Sequence, residues 1–511
     1  LARRFVQIEE TQMFRMTSHF AAPALVVLMG GTAHAALTAD QVWQSWKDAG
    51  ALVGLEVTAA TENSDNGTLM LNGVSVAPAG MAGITISDMV LTEAGDGSVT
   101  IVPGADIGLA LSGETKGSAK LVHDGLTLTA READGGLAYD FAAAKLDVVY
   151  DATSPGVSFD GSPAPDVVNS GTVGLTDLAG TYSDTPGTNR TFGLDVKASA
   201  LAYDTRLEDP SLDIKQTTTS STANVEMSFD FALPTTISLA ALGAAADFGT
   251  ALQEGLSVNF STKQGDSTGT MVQESEFMPM TVAILAGGGE ATGAFNKDTF
   301  TIQSSGSGLE IDVTTPMVPT PVKVTAGPVV FGLTSPVVAT EAAGDYGFVM
   351  KLSQLTVSEE AWAMFDPGAA LKRDPADIAI DISGKTKLDF VALLQADETG
   401  TEPPIPGIET LNITELGLKV AGAALASTGA FTFDNSTGVP MPLGEANVTV
   451  TGANALIDGL IATGLVAEED AMGARMMMGA FMSPGANPDE LTSKIEAKAG
   501  GEIYVNGQRV Q

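Results

Sequence analysis

Between Asn224 and Phe231 the chain alternates without a break. Val225, Met227, Phe229 and Phe231 fall on one side, and Glu226, Ser228 and Asp230 on the other. Successive side chains of an extended chain point to opposite faces, so this stretch predicts an antiparallel strand with one apolar and one wet face. The same period returns at Ile378-Ile380-Ile382, Leu416-Leu418-Val420, Phe431-Phe433 and Val448-Val450. Clusters such as Gly95-Asp96-Gly97 and Asp134-Gly135-Gly136 separate apolar pairs and predict turns.

Two stretches share one grammar. Gly67 to Val76 and Gly501 to Val510 both place apolar residues at the third and fifth positions, then Asn-Gly, then Val at the tenth. Asn72-Gly73 and Asn506-Gly507 each predict the tight turn of a hairpin, because Asn-Gly supplies two positive-φ positions. From Pro155 to Thr191 the composition turns to Gly, Ser, Pro and Asp, which predicts a long loop or a weak edge.

Periods near 3.6 are fewer. Thr38 to Gly50 predicts a helix with Thr38 as cap and Val42, Trp43 and Trp46 on one face. Ile237 to Glu254 predicts a central helix ended by Gly255. A third helix starts at Ser358, turns Trp362 and Phe365 inward, and breaks at Asp366-Pro367. Residues 454–482 predict a helical pair; Met472, Met476, Met478 and Met482 on its second member read as core filling or a soft apolar contact rather than copper ligands. The expected fold is mainly β (α+β): an elongated, largely antiparallel sheet or open β-groove built of hairpins, with a few capping helices. A boundary is placed between a β-rich half, 36–255, and a second β-rich half, 256–511, with the helical pair and a closing hairpin.

Residues 1–35 read as a leader. Met13 is the expected start, Arg15 the positive region, Ala21 to Gly31 the apolar core, and Ala33-His34-Ala35 the cleavage site, with the cut between Ala35 and Ala36. The apolar run is too short to span a bilayer, and no later stretch predicts a transmembrane span. The mature chain is therefore expected in the periplasm.

Charge and composition narrow the chemistry. A net charge of -37 repels phosphate backbones, so nucleic acid is not expected as a partner. The chain has no Cys, which removes thiolate metal sites and thiol nucleophiles. Of the 3 His, only His123 lies beyond the leader, too few for a two-His metal site or a proton relay. The Asp-Gly clusters lack the EF-hand ligand series, so turn chemistry outweighs calcium. No phosphate loop, nucleophile elbow or zinc motif is present, and no catalytic residue, metal or cofactor is assigned. Asp366 and Asp374 precede Pro367 and Pro375 and read as turn formers, and Arg373 as the partner of a nearby carboxylate.

Four places carry a resemblance. Trp362-x-x-Phe365-Asp366-Pro367 with Arg373-Asp374-Pro375, the start Leu37 to Trp43, the block Ala471 to Met477, and Val505-Asn506-Gly507-Gln508-Arg509 resemble an exported alphaproteobacterial family, domain of unknown function 2125. Lys372 departs from it, standing where the resemblance leads one to expect proline. More distantly, Gly429 to Gly452 and the closing hairpin look like exported envelope proteins of the AsmA-like kind, which implies an elongated open β-groove linked to envelope assembly or lipid movement. Two functions are expected in consequence. One is a periplasmic protein binding or moving a lipid or other apolar ligand, with Val225, Met227, Phe229 and Phe231 as its apolar face. The alternative is a non-catalytic scaffold with an envelope protein partner, recruited by strand addition.

Overall fold

The computed structural model describes residues 36–511 apart from 53, 79–82, 112–114, 134, 158–161, 238–241, 317, 319 and 437. The expected leader, with Met13 and Ala35, lies outside the described residues. Among those described, 28 strands join in one sheet and pair antiparallel. The chain builds it as a meander, each row lying beside the one before. Leu55–Asp65 pairs on one side only, Gln508–Arg509 forms the far edge, and no pairing joins the two among the described residues. The sheet is open.

Its central rows are long. Gly136–Val157, Pro163–Thr185, Asn189–Asp209 and Ile214–Pro234 run 22, 23, 21 and 21 residues. The second of them overturns the loop expected at 155–191. Its Gly and Ser are tolerated because the backbone is bonded on both sides, to Gly136–Val157 and to Asn189–Asp209. Gly180 has a packing reason as well: a Cβ there would meet the Phe141 ring and the Asp195 carbonyl at 2.3 Å each.

The two Asn-Gly stretches part company. Asn506 and Gly507 both take positive φ, 50° and 80°, and close the expected hairpin between Glu502–Val505 and Gln508–Arg509. In Thr68–Pro78 only Gly73 does so, at 60°, while Asn72 stays paired with Thr61 and Asp88. One left-handed residue makes a bulge, not a turn, so Thr68–Pro78 is a single strand and the hairpin expected there is corrected.

Gly73 belongs to a line of such interruptions. Several rows consist of two strands end to end: Ser257–Gln264 with Ser267–Glu274, Met280–Ala286 with Gly289–Phe295, Thr299–Gly306 with Leu309–Thr314, and Val322–Ala326 with Val329–Pro336. The register aligns the gaps. Gly265-Asp266 lies beside Gly287-Gly288, then Ser307-Gly308, then Gly327-Pro328. In unbroken rows a single unpaired residue marks the same line: Asp177, Ser199 and Asn224 on neighbouring strands, and Gln354 farther on. Asp177, Asn224 and Gln354 adopt φ of 49°, 49° and 54°. A bulge bends its strand. Aligned bulges therefore crease the whole sheet across its strands.

Burial shows which way it bends. Ala143, Leu178, Ala198 and Thr222 lie beside the crease on four successive rows and are all buried. Farther out on the same face Tyr203, Met227 and Phe229 are exposed. The apolar face is thus the inside of a trough, deep at the crease and open toward its rims.

Six helices are found among the described residues. α1, Ala39–Leu52, is capped as expected: Gln41 N–H donates to the Thr38 hydroxyl, and Thr38 N–H to the Gln41 side chain. Val42, Trp43 and Trp46 are buried against Leu69, Leu71, Leu91 and Ile101, so α1 covers the trough at its N-terminal end. α2, Ala245–Gln253, begins later than the predicted Ile237; Thr235 and Thr236 are in a turn instead. α3 is Glu359–Ala363 and α4 is Phe390–Thr399. The strand Ala376–Lys387 runs without interruption through Gly384 toward α4. Asp389 caps α4 by accepting from Ala392 N–H at 2.9 Å. α5, Ala453–Ala462, and α6, Glu468–Phe481, form the expected pair.

The register divides the helices between two rims. α2 and α4 share one, where the Ala245 N–H donates to Glu398 and Leu252, Val337 and Val391 pack with Phe231, Phe295 and Phe300. α3, α5 and α6 connect row ends on the opposite rim. Across the boundary placed at 255/256 the sheet continues, Ile214–Pro234 pairing with Ser257–Gln264.

Candidate functional site

Val225, Met227, Phe229 and Phe231 share one face with matching neighbours. Phe231 faces Phe192, Phe229 faces Leu194, Met227 faces Val196, and Val225 faces Ala198. Phe192 and Phe231 stack at 6.1 Å. On their other side Phe229 meets Phe260, and Phe231 meets Val258. The Phe192-Leu194-Val196-Ala198 alternation carries the same signal as 225–231 and locates these partners from sequence. The face continues to the C-terminal rows: Phe331 pairs with Met350, Met350 with Ile380, and Ile380 with Leu416. Phe229 is 37% exposed and Leu416 38% exposed. A half-exposed apolar surface of this length is not a packed core, and contiguous exposed apolar area on a protein marks a binding surface.

The opposite face is charged and paired. Lys351 reaches Glu415 at 2.8 Å and Asp381 at 3.7 Å, spanning three rows, and Lys323 reaches Glu310 and Asp312 on the neighbouring strand at 2.6 and 3.6 Å. These exposed pairs contribute little stability each, roughly 0–1 kcal/mol, but they fix which face meets water. Polarity is thus divided by the sheet itself, with apolar groups inside the trough and ions outside.

Trp362, Asp366 and Arg373 are brought together at the turn after α3. The Asp366 side chain is buried and accepts from Ala370 and Leu371 N–H at 2.9 Å each, as well as from Arg373. Burial pushes the Asp366 carboxyl up, yet Arg373 and the two amides outweigh it and hold it below the ordinary range. The Arg373 guanidinium lies over the Trp362 ring at 4.3 Å, and Trp362 contacts Phe365 at 4.9 Å. Phe365 is exposed rather than turned inward. Pro367, Asp374 and Pro375 complete the turn, which leads into the strand Ala376–Lys387. This knot holds a loop by satisfying its amides. Asn506 and Gly507 are not part of it; they sit in the last hairpin, where Asn506 bonds Lys494 N–H and the Phe481 carbonyl.

His123 stands at the crease, its Nε2 3.1 Å from the Gly104 carbonyl while Nδ1 accepts from Leu126 N–H. Among the described residues no three His, Asp or Glu side chains gather as a metal site. No described helix is long and apolar enough to cross a membrane. Of the methionines in and after α6, Met472, Met476 and Met477 are exposed and fill no core, while Met478 and Met482 are half-buried and Ala471 is buried on the docked side of the helix.

A family described as "Uncharacterized protein conserved in bacteria (DUF2125)" matches residues 201–501. The chain belongs to that family. The match takes in the apolar strand 225–231, the aligned gaps from Gly265 to Pro328, the Asp366–Arg373 knot and both helices of the α5–α6 pair. No curated protein and no solved structure matches the chain.

Proposed function

We propose that this protein is exported to the periplasm and holds the apolar chain of a lipid, or another apolar ligand, in the trough. The observation that carries the reading is the half-exposed apolar face that Phe192, Phe229 and Phe231 share with Phe331, Met350, Ile380 and Leu416, open to solvent between helices that cover only an end and the rims. Burying such surface on an acyl chain contributes about 0.8 kcal/mol per methylene, enough in sum for stable retention. An open trough suits a long flexible ligand. The distant likeness to AsmA-like envelope proteins supports the same reading. Export is supported by the leader pattern ending at Ala35.

The test is native mass spectrometry of the protein purified from the periplasm, followed by solvent extraction and lipid analysis. Bound lipid is expected, and it should be lost in Phe229→Asp and Phe231→Asp variants that keep the wild-type circular dichroism spectrum. A lipid-free mass, with one stoichiometric protein recovered after mild crosslinking, would replace this reading by that of a scaffold.

A further inference from the structure

The rim opposite α2 and α4 differs from its counterpart in what its loops display. Between Ser267–Glu274 and Met280–Ala286 the turn presents Phe277, 77% exposed, and Met278. The loop after α3 presents Met364 and Phe365. Beyond it α6 presents Met472, Met476 and Met477, with Met476 70% exposed. The register puts all three segments on one rim: Gln273 pairs with Met280, Leu355 with Ala376, and Thr451 with Glu490. On the other rim the exposed large apolar side chains of the corresponding loops are Phe390, Ile405 and Val439.

α6 is inverted as surface helices go. Its docked side carries buried Ala471, half-buried Met478 and Arg475, which pairs with Asp458 of α5, while Met472, Met476 and Met477 turn outward. A surface helix ordinarily buries its apolar side and wets the other. Something apolar is therefore expected outside.

We infer that this rim rests on the surface of a zwitterionic lipid bilayer, with Phe277, Phe365, Met472, Met476 and Met477 entering its interfacial layer. Three observations select a bilayer over a compact protein partner. The tips come from separate loops strung along the rim over eight rows, about 40 Å at the usual strand spacing, which is a line rather than a patch. They are flanked by Glu274, Glu276 and Glu468 to Asp470 on a chain of net charge -37, which disfavours anionic headgroups and leaves neutral ones. The trough wall behind the tips is itself apolar, with Val282, Val313, Val322 and Val324 on its inner face, so apolar surface runs from the rim to the floor. This contact stands whether or not the trough carries a lipid, and lipid retention is measured separately.

The test is flotation of the purified protein with vesicles of phosphatidylcholine alone, and with vesicles of equal parts phosphatidylcholine and phosphatidylglycerol. Wild type is expected to float with the first and less with the second. Phe277→Asp with Met278→Asp should lower partitioning about tenfold or more, the effect of losing one buried apolar side chain, and Met472→Gln with Met476→Gln should lower it too. Ile405→Asp, on the other rim, should leave it unchanged. In a Phe277→Trp variant the added emission should shift to shorter wavelength with phosphatidylcholine vesicles. Absence of flotation, an equal loss in Ile405→Asp, or an unshifted Phe277→Trp emission overturns the proposal. So does a dimer in sedimentation equilibrium that Phe277→Asp dissolves, because the rim would then cover a second copy of the chain.

Discussion

Arg190 grips Asp184 with two parallel hydrogen bonds, Nε to Oδ1 and Nη2 to Oδ2, each at 2.7 Å. Asp184 is fully buried beside Tyr182, and burial pushes its carboxyl above the ordinary value against the pull of Arg190. A pair of this kind costs more to break than it contributes to stability. Asp184→Ala, which leaves Arg190 without its carboxylate, should lower stability by about 3–5 kcal/mol in urea denaturation, while Asp184→Leu with Arg190→Met should lower it much less.

Tyr139 and Tyr182 lie 6.0 Å apart, yet their hydroxyls differ. Tyr139 accepts the Trp46 indole N–H at 3.1 Å; the buried Tyr182 hydroxyl has no partner among the described residues. Tyr139→Phe strands the indole N–H and should cost about 1–3 kcal/mol. Tyr182→Phe removes only a desolvated hydroxyl, and denaturation should show stability unchanged or raised.

Burial also raises both phenols well above their ordinary value of 10.0. A group whose folded value is raised favours the protonated form in the fold. The stability it contributes is whole below pH 10.0 and lost as pH climbs toward the folded value. Alkaline titration should therefore show these phenolates appearing together with loss of the strand signal in circular dichroism. Phenolate absorbance complete at pH 10 with the fold intact would contradict the burial.

At the crease, Asn224 and Asp177 hold left-handed backbone. Asn224→Val or Asp177→Val should cost about 1–2 kcal/mol, because a branched side chain resists that conformation. Asn224→Gly should be tolerated. The comparison, made by thermal denaturation, separates backbone strain from loss of the side chain.

Asp366 titrates with the opposite sign to the phenols. Its folded value is depressed, so the stability it contributes is present above the ordinary 3.8 and lost as pH falls through the folded value. Amide exchange at Ala370 and Leu371 should lose protection in acid, and lose it at higher pH in Arg373→Met than in wild type.

Strand character was legible wherever apolar and polar residues alternate, as at 225–231, and so was the end helix from Thr38 and its paired tryptophans. Pro163–Thr185 was not, because long-range pairing on both sides compensates for its small residues. Asn72-Gly73 shows a second limit: a dipeptide licenses two left-handed residues, but only the partner strands decide whether one or both are used. The crease escaped sequence reading because its marker changes from row to row, a glycine pair at 287–288, Asp177, Ser199, Asn224, and acquires meaning only through register. At the candidate site the face of 225–231 was legible, whereas its half-exposure depends on which helices cover which rows.

Because its first and last rows never meet, the sheet behaves as a ruler. Each hairpin inserted or removed changes the length of the trough by about 9–10 Å and leaves its cross-section as it was. Reach along the trough and capacity per unit length are therefore set independently, the first by the number of rows and the second by where the crease falls along each strand.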